Sequence, residues 1–93
     1  MNITTFKHKG LEAFYKTGSH KGINADHTKK LALIFESIKS ANDIDALNIP
    51  AFRLHQLKGD RAGVWSITIR ANWRLTFMIN GNDCHLLDYE DYH

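Results

Sequence analysis

The sequence predicts an α+β domain in which N-terminal helices pack on one face of a central, mainly antiparallel sheet. Three observations carry this expectation. The first half of the chain is patterned with the 3.6-residue period of helices, and the second half with the two-residue period of half-buried strands. The helical block precedes the strand block instead of alternating with it, which removes the repeating unit of a parallel sheet.

Taken in order, Ile3 to Phe6 reads as a short strand. Lys7 to Thr17 places Leu11, Phe14 and Tyr15 at helical spacing and stops at Gly18, which suits the left-handed position after a helix, although Gly10 weakens it. Ser19 to Ile23 is a loop. From Asn24, a good N-cap, a longer helix runs to about Ser40 with Leu31, Ile34, Phe35 and Ile38 as one apolar stripe. Ser40 and Asp43 have capping-box spacing before a short helical segment carrying Ile44 and Leu47, and Pro50 ends it. Phe52 to Leu57 alternates as a strand, and Lys58 to Gly63 is turn material. Val64 to Arg70 sets Trp65, Ile67 and Ile69 against Ser66, Thr68 and Arg70; Trp73 to Ile79 sets Trp73, Leu75, Phe77 and Ile79 against Arg74, Thr76 and Met78. Asn80-Gly81 signals a hairpin into a last strand, Cys84 to Tyr89, and the sheet face away from the helices stays partly open.

Ninety-three residues leave room for a single domain, 1–93, able to bury roughly 65% of its surface. The composition, 43% hydrophobic and 24% charged, is that of a folding chain. Cys84 is the sole cysteine, which excludes an internal disulfide and favours a reducing compartment. The longest apolar run, Leu31 to Phe35, is far short of a membrane span, and the N-terminus lacks a signal-peptide h-region, so the expected location is the cytoplasm, away from membranes.

The net charge of +2 is unevenly spread. Residues 1–35 sum to +4, 36–52 to −2, 53–74 to +4, and 75–93 to −4. Two basic segments brought together in space would suit a polyanion, and the bland alternative is a solvated mixed surface.

The less apolar strand faces and their ends carry Arg53, His55, Lys58, Arg70, Asn72, Arg74 and the terminal Asp91-Tyr92-His93. RNA cleavage by its own 2′-hydroxyl needs a base, an acid and cations for the charge that builds on phosphorus. Histidine serves either proton role, Lys and Arg the third, and Tyr stacks on a base. Taken singly these residues have ordinary readings, a hydrogen-bonded strand histidine, edge-blunting arginines and a frayed tail. His20 and His27 read as surface residues, and His8, His20, His27 and His85 form no metal-ligand pattern, so no metal or cofactor is expected.

The run Arg53-Leu54-His55-Gln56-Leu57-Lys58-Gly59-Asp60-Arg61-Ala62-Gly63-Val64-Trp65-Ser66-Ile67, then Asn72-Trp73-Arg74-Leu75-Thr76-Phe77, then Asp88-Tyr89-Glu90-Asp91-Tyr92-His93, with the opening Phe6-Lys7-His8-Lys9-Gly10-Leu11, resembles the HigB toxins. These are the plasmid-maintenance killer branch of the RelE-like superfamily. The resemblance implies the RelE-like microbial-RNase fold and a ribosome-dependent endoribonuclease that cuts mRNA in the 30S A site, against the 16S rRNA, and halts translation. It implies neutralisation by a HigA-like helix-turn-helix antitoxin, through which alone the toxin would reach operator DNA. Carried over by motif, His55, Asp91, Tyr92 and His93 form the catalytic set, and Lys58, Asn72 and Arg74 line the mRNA site. Ala51 departs from the glycine that many members place after proline, in a loop. The implied chemistry is metal-free transesterification to a 2′,3′-cyclic phosphate. His55 or Asp91 would be the base, His93 the leading acid, Tyr92 a stacking or orienting group, and Lys58 with Arg74 the charge stabilisers; acid and base are exchangeable.

Two other classes remain open. A gyrase-poisoning ParE-like toxin would share the fold but lack the paired histidines and terminal Tyr-His. A non-catalytic RNA-binding or regulatory module would use Arg53, Lys58, Arg70 and Arg74 for phosphate contact alone, and a mere interaction partner would not be toxic.

Overall fold

A computed structural model describes residues 1–92 as two helices packed against a five-stranded sheet. The order of elements follows the sequence reading, with β1 (Asn2–Ile3), α1 (Lys9–Thr17), α2 (Thr28–Ser40), β2 (His55–Gln56), β3 (Trp65–Arg70), β4 (Trp73–Asn80) and β5 (Asp83–Asp91). In space the strands run β1-β5-β4-β3-β2. Strands β2 to β5 are antiparallel, while β1 lies parallel to β5 and ties the start of the chain to its last strand.

Local chemistry sets the helix limits. The His8 ring nitrogen Nδ1 accepts the Leu11 N–H at 2.9 Å, so α1 begins at Lys9 and not Lys7. Gly18, at φ 77, closes it with an N–H donated to Phe14. Gly10 is explained by crowding: a Cβ there would stand 3.0 Å from His8 Cε1 and 3.3 Å from the Lys21 carbonyl oxygen. Asn24 caps not α2 itself but a single 3-10 turn, Ala25–His27, that leads into it, accepting the Asp26 N–H at 2.9 Å. Asp43 caps the second such turn, Ile44–Leu47, accepting the Asp45 N–H at 3.0 Å.

The stripe Leu31, Ile34, Phe35 and Ile38 is buried as the helical period requires, against Leu11 of α1 and Ile67, Leu75, Phe77 and Leu87 of the sheet. The strand expected over Phe52 to Leu57 is shorter. Arg53 adopts φ 46, a left-handed conformation that interrupts the extended chain, so Phe52 turns into the core and β2 keeps only His55–Gln56. The opening strand is likewise shorter than Ile3 to Phe6, with Phe6 forming an isolated bridge to Leu87.

Two bulges decide which side chains face where. Between Thr68 and Arg70 the register with β4 shifts, so that Arg70 and not Ile69 pairs with Trp73. Between Thr76 and Met78 it shifts again opposite Leu86, which takes φ 55. No helix among the described residues is long and apolar enough to cross a membrane.

Candidate active site

Register places the row Ile67, Leu75 and Tyr89 on the helical side of the sheet, so the flanking rows project from the opposite face. One of these rows is Thr68, Arg74 and Glu90; the next is His55, Ser66, Thr76 and Asp88. From strand spacing and rise, the Cα atoms of His55 and Arg74 stand about 12 Å apart on this face. That distance lets two extended side chains meet one bound phosphodiester.

His55 is exposed, and its Nδ1 lies 3.2 Å from the Arg53 carbonyl oxygen. An Nδ1–H donating there leaves Nε2 to accept a proton. The left-handed Arg53 therefore orients the histidine through its backbone, while its own side chain is exposed. Across the face, Arg74 is held by the carbonyls of the β3–β4 hairpin, donating from Nη1 to Ala71 at 2.6 Å and to Trp73 at 3.3 Å. Its guanidinium carbon stands 6.0 Å from the centre of the Tyr92 ring, within cation–π range. The Tyr92 N–H donates to the Asn72 carbonyl at 2.8 Å, which docks the tail beside the hairpin. Asp91 ends β5 opposite Trp73, and Lys58 is exposed at the head of the 3-10 turn Gly59–Arg61.

Thus Asn72, Arg74 and Tyr92 gather at one end of the sheet, with His55 and Lys58 on the far edge, while Asp91, at the same end, shares by register the row of Trp73 and Arg70. Arg70 does not join them. The bulge after Thr68 turns it to the helical side, where Nη1 lies 3.7 Å from Asp26. The expectation for His93 falls outside the described residues.

Three residues of the open face were not singled out in the sequence. Arg61 grips Glu90 with both ends of its fork, at 2.8 Å and 2.6 Å, and the Thr76 hydroxyl donates to the same carboxylate. The Arg61 hydrogen bonds hold the Glu90 carboxyl below the usual carboxylate range, against partial burial acting the other way. The available signal was parity: Glu90 alternates with the buried Tyr89, so it points at the open face in mid-sheet and needs a partner there.

His27 corrects the sequence reading more directly. Expected on the surface, it is 3% exposed, with Nδ1 2.6 Å from the Tyr89 hydroxyl. That hydroxyl also accepts the Asn24 N–H at 3.3 Å, and Trp73 stacks on the Tyr89 ring at 4.6 Å. Burial foremost, then the Arg70 charge, lowers the pKa of His27, with Asp26 opposing. A neutral His27 whose Nδ1 accepts a hydrogen bond from the Tyr89 hydroxyl satisfies the network. Tyr89 is thereby fixed two residues before Asp91. Cys84 is a core thiol, its pKa pushed up to about 12 by burial, and is no nucleophile.

Comparison with known proteins identifies the family and the fold. Residues 4–93 match the family described as the RelE-like toxin of type II toxin-antitoxin system HigB. The curated Endoribonuclease HigB of Proteus vulgaris is 45% identical over 91 residues, spanning 98% of this chain and 99% of that protein. Among solved structures, the YoeB/ParE toxin from Agrobacterium tumefaciens shares the fold with a TM-score of 0.61 at 19% identity, covering 97% of this chain and 99% of that one. A chain of the YoeB-YefM complex from Staphylococcus aureus does so with 0.61 at 21% identity, covering 97% of each. The two helices on one face of a mainly antiparallel sheet are thus the RelE-like architecture, and this chain belongs to the HigB-like family of type II toxin–antitoxin toxins.

Proposed function

We propose that this HigB-family endoribonuclease cleaves mRNA in the A site of the ribosome by metal-free transesterification, and that a helix-turn-helix antitoxin neutralises it. The observation that supports the reading is the open sheet face, across which His55 and Arg74 project from different strands, with the Tyr92 ring beside Arg74 and Lys58 exposed on the turn that follows β2. A base, cations and a stacking ring are what 2′-hydroxyl attack on the adjacent phosphate requires.

In the proposed reaction the 2′-oxygen bonds to phosphorus as its proton passes to His55 Nε2 or to Asp91. The bond from phosphorus to the 5′-oxygen breaks, that oxygen takes a proton from His93, and a 2′,3′-cyclic phosphate remains. Arg74 and Lys58 stabilise the extra negative charge on the phosphorane, and Tyr92 stacks on a base. Asn72, on the hairpin beside Tyr92, lines the mRNA path, whereas Arg53 acts mainly through its carbonyl on the His55 ring. So small a face holds only part of a nucleic acid, and the ribosome supplies the remaining positioning.

Controlled expression in a bacterial host tests this. Wild-type protein should arrest growth, His55→Ala and His93→Ala should abolish the arrest, and co-expression of a cognate helix-turn-helix antitoxin should relieve it. Arrest that persists undiminished in both variants would favour a non-catalytic RNA-binding module.

A further inference from the structure

We infer that Arg61 and Glu90 are positioning residues of the cleavage reaction, their ion pair locking the turn that carries Lys58 onto the strand that carries the catalytic tail. This rests on the functional reading above and extends it to two residues outside the assigned set. Lys58 belongs to the connection between β2 and β3, while Asp91 and Tyr92 follow Glu90 on β5, two strands further across the sheet. Lysine is a compact charge on a flexible stem, so where its ammonium sits depends on where the backbone holds its root.

That backbone has its own shape but needs an anchor. Gly59 and Gly63, at φ 69 and 91, bracket the turn. Within it, Ala62 N–H bonds to the Gly59 carbonyl at 3.0 Å and Val64 N–H to that of Arg61 at 3.0 Å. At its base Leu57 N–H bonds to the Val64 carbonyl at 2.7 Å. These bonds fix the curvature of the turn, and they tie it to nothing beyond β2 and β3. Arg61 supplies the longer reach, passing over β4 to the Glu90 carboxylate, which Thr76 of β4 holds from a second side.

Exposed ion pairs usually contribute little, because two long side chains must be immobilised in water. This pair differs in geometry. It is bidentate and charge-assisted, and the Glu90 side chain is only 22% exposed. A planar fork on a carboxylate fixes orientation as well as distance, which a single contact would not do. Loosening it lets the Lys58 root drift relative to Arg74 and Tyr92, and an ångström of drift costs as much as about 100-fold in rate.

The test is single-turnover cleavage of ribosome-bound mRNA at saturating toxin, with thermal melting of each variant alongside. Arg61→Gln and Glu90→Gln should each slow the cleavage step by about 10- to 100-fold while toxin still binds the ribosome. Arg61→Lys keeps the charge, forfeits the fork and should show the same loss, which serves if Arg61→Gln fails to fold. The discriminating comparison is with Lys58→Ala. If Arg61 acts through Lys58, the Lys58→Ala/Arg61→Gln double variant should be no slower than Lys58→Ala alone. Wild-type rates in Arg61→Gln and Glu90→Gln, or losses that multiply in full with that of Lys58→Ala, would overturn the inference and leave a structural ion pair. Lys58→Ala cleaving at the wild-type rate would instead remove Lys58 from the mechanism, and the proposed lock with it.

Discussion

Removing the Tyr89 hydroxyl should destabilise the fold well beyond the loss of one oxygen atom. In Tyr89→Phe the ring still stacks on Trp73 at 4.6 Å, so no cavity opens and the packing contribution is retained. What disappears is the partner of His27 Nδ1 at 2.6 Å and of the Asn24 N–H at 3.3 Å. A buried polar group left without its partner costs about 1–3 kcal/mol. His27 is 3% exposed and takes the larger share, giving an expected loss of about 2 kcal/mol. For a domain of this size that corresponds to a Tm lower by about 8–16 °C. Thermal and urea unfolding at pH 7.5 measure it. His27→Phe should also destabilise, but His27→Phe/Tyr89→Phe exchanges both partners for apolar rings and should lose less than the sum of the single changes. The missing part is a coupling of about 1 kcal/mol or more. A Tyr89→Phe loss below about 0.5 kcal/mol, or strict additivity, would refute the buried-pair reasoning.

Other outcomes follow from the same structure. Because the folded state depresses the His27 pKa, the unfolded chain alone takes up that proton below about pH 6.5. Stability should therefore be full above that pH and fall as pH drops through it, and His27→Phe should flatten this slope in pH-dependent melting. Glu90, also depressed, contributes stability that is present above about pH 4.3 and lost as pH falls toward its folded pKa, so Glu90→Gln should lessen the acid sensitivity of urea midpoints below that value. Gly10→Ala should destabilise by about 1 kcal/mol by urea unfolding despite better helix propensity, since its Cβ meets a capping ring and a backbone carbonyl. Ala71→Gly should raise stability by about 0.5–1 kcal/mol in the same assay, because Ala71 is held exposed at φ 51.

What was legible in the sequence followed from periodicity and turn chemistry. The α2 stripe, the alternation of β3 and β4 and the Asn80-Gly81 hairpin are local patterns, and they appear where the pattern put them. The misreadings arise where one residue breaks a period. Arg53 in the left-handed region truncates β2, and the bulge after Thr68 carries Arg70 to the helical side. Neither a positive φ on arginine nor a register shift leaves a mark in composition. His27 was misjudged because its burial depends on Tyr89, 62 positions away. The same non-local logic hid Arg61 and Glu90, each ordinary in its own segment and significant only once the sheet brings them together.

The dependence of cleavage on the ribosome bears most directly on the proposed activity. Primer extension across a defined mRNA, incubated with purified toxin in the presence and absence of programmed ribosomes, reads it in one experiment. Ribosome-dependent cleavage predicts new 5′ ends within the A-site codon only when ribosomes are present, and none with His93→Ala. Efficient cutting of the naked transcript, or intact mRNA on ribosomes exposed to the wild-type protein, would contradict it.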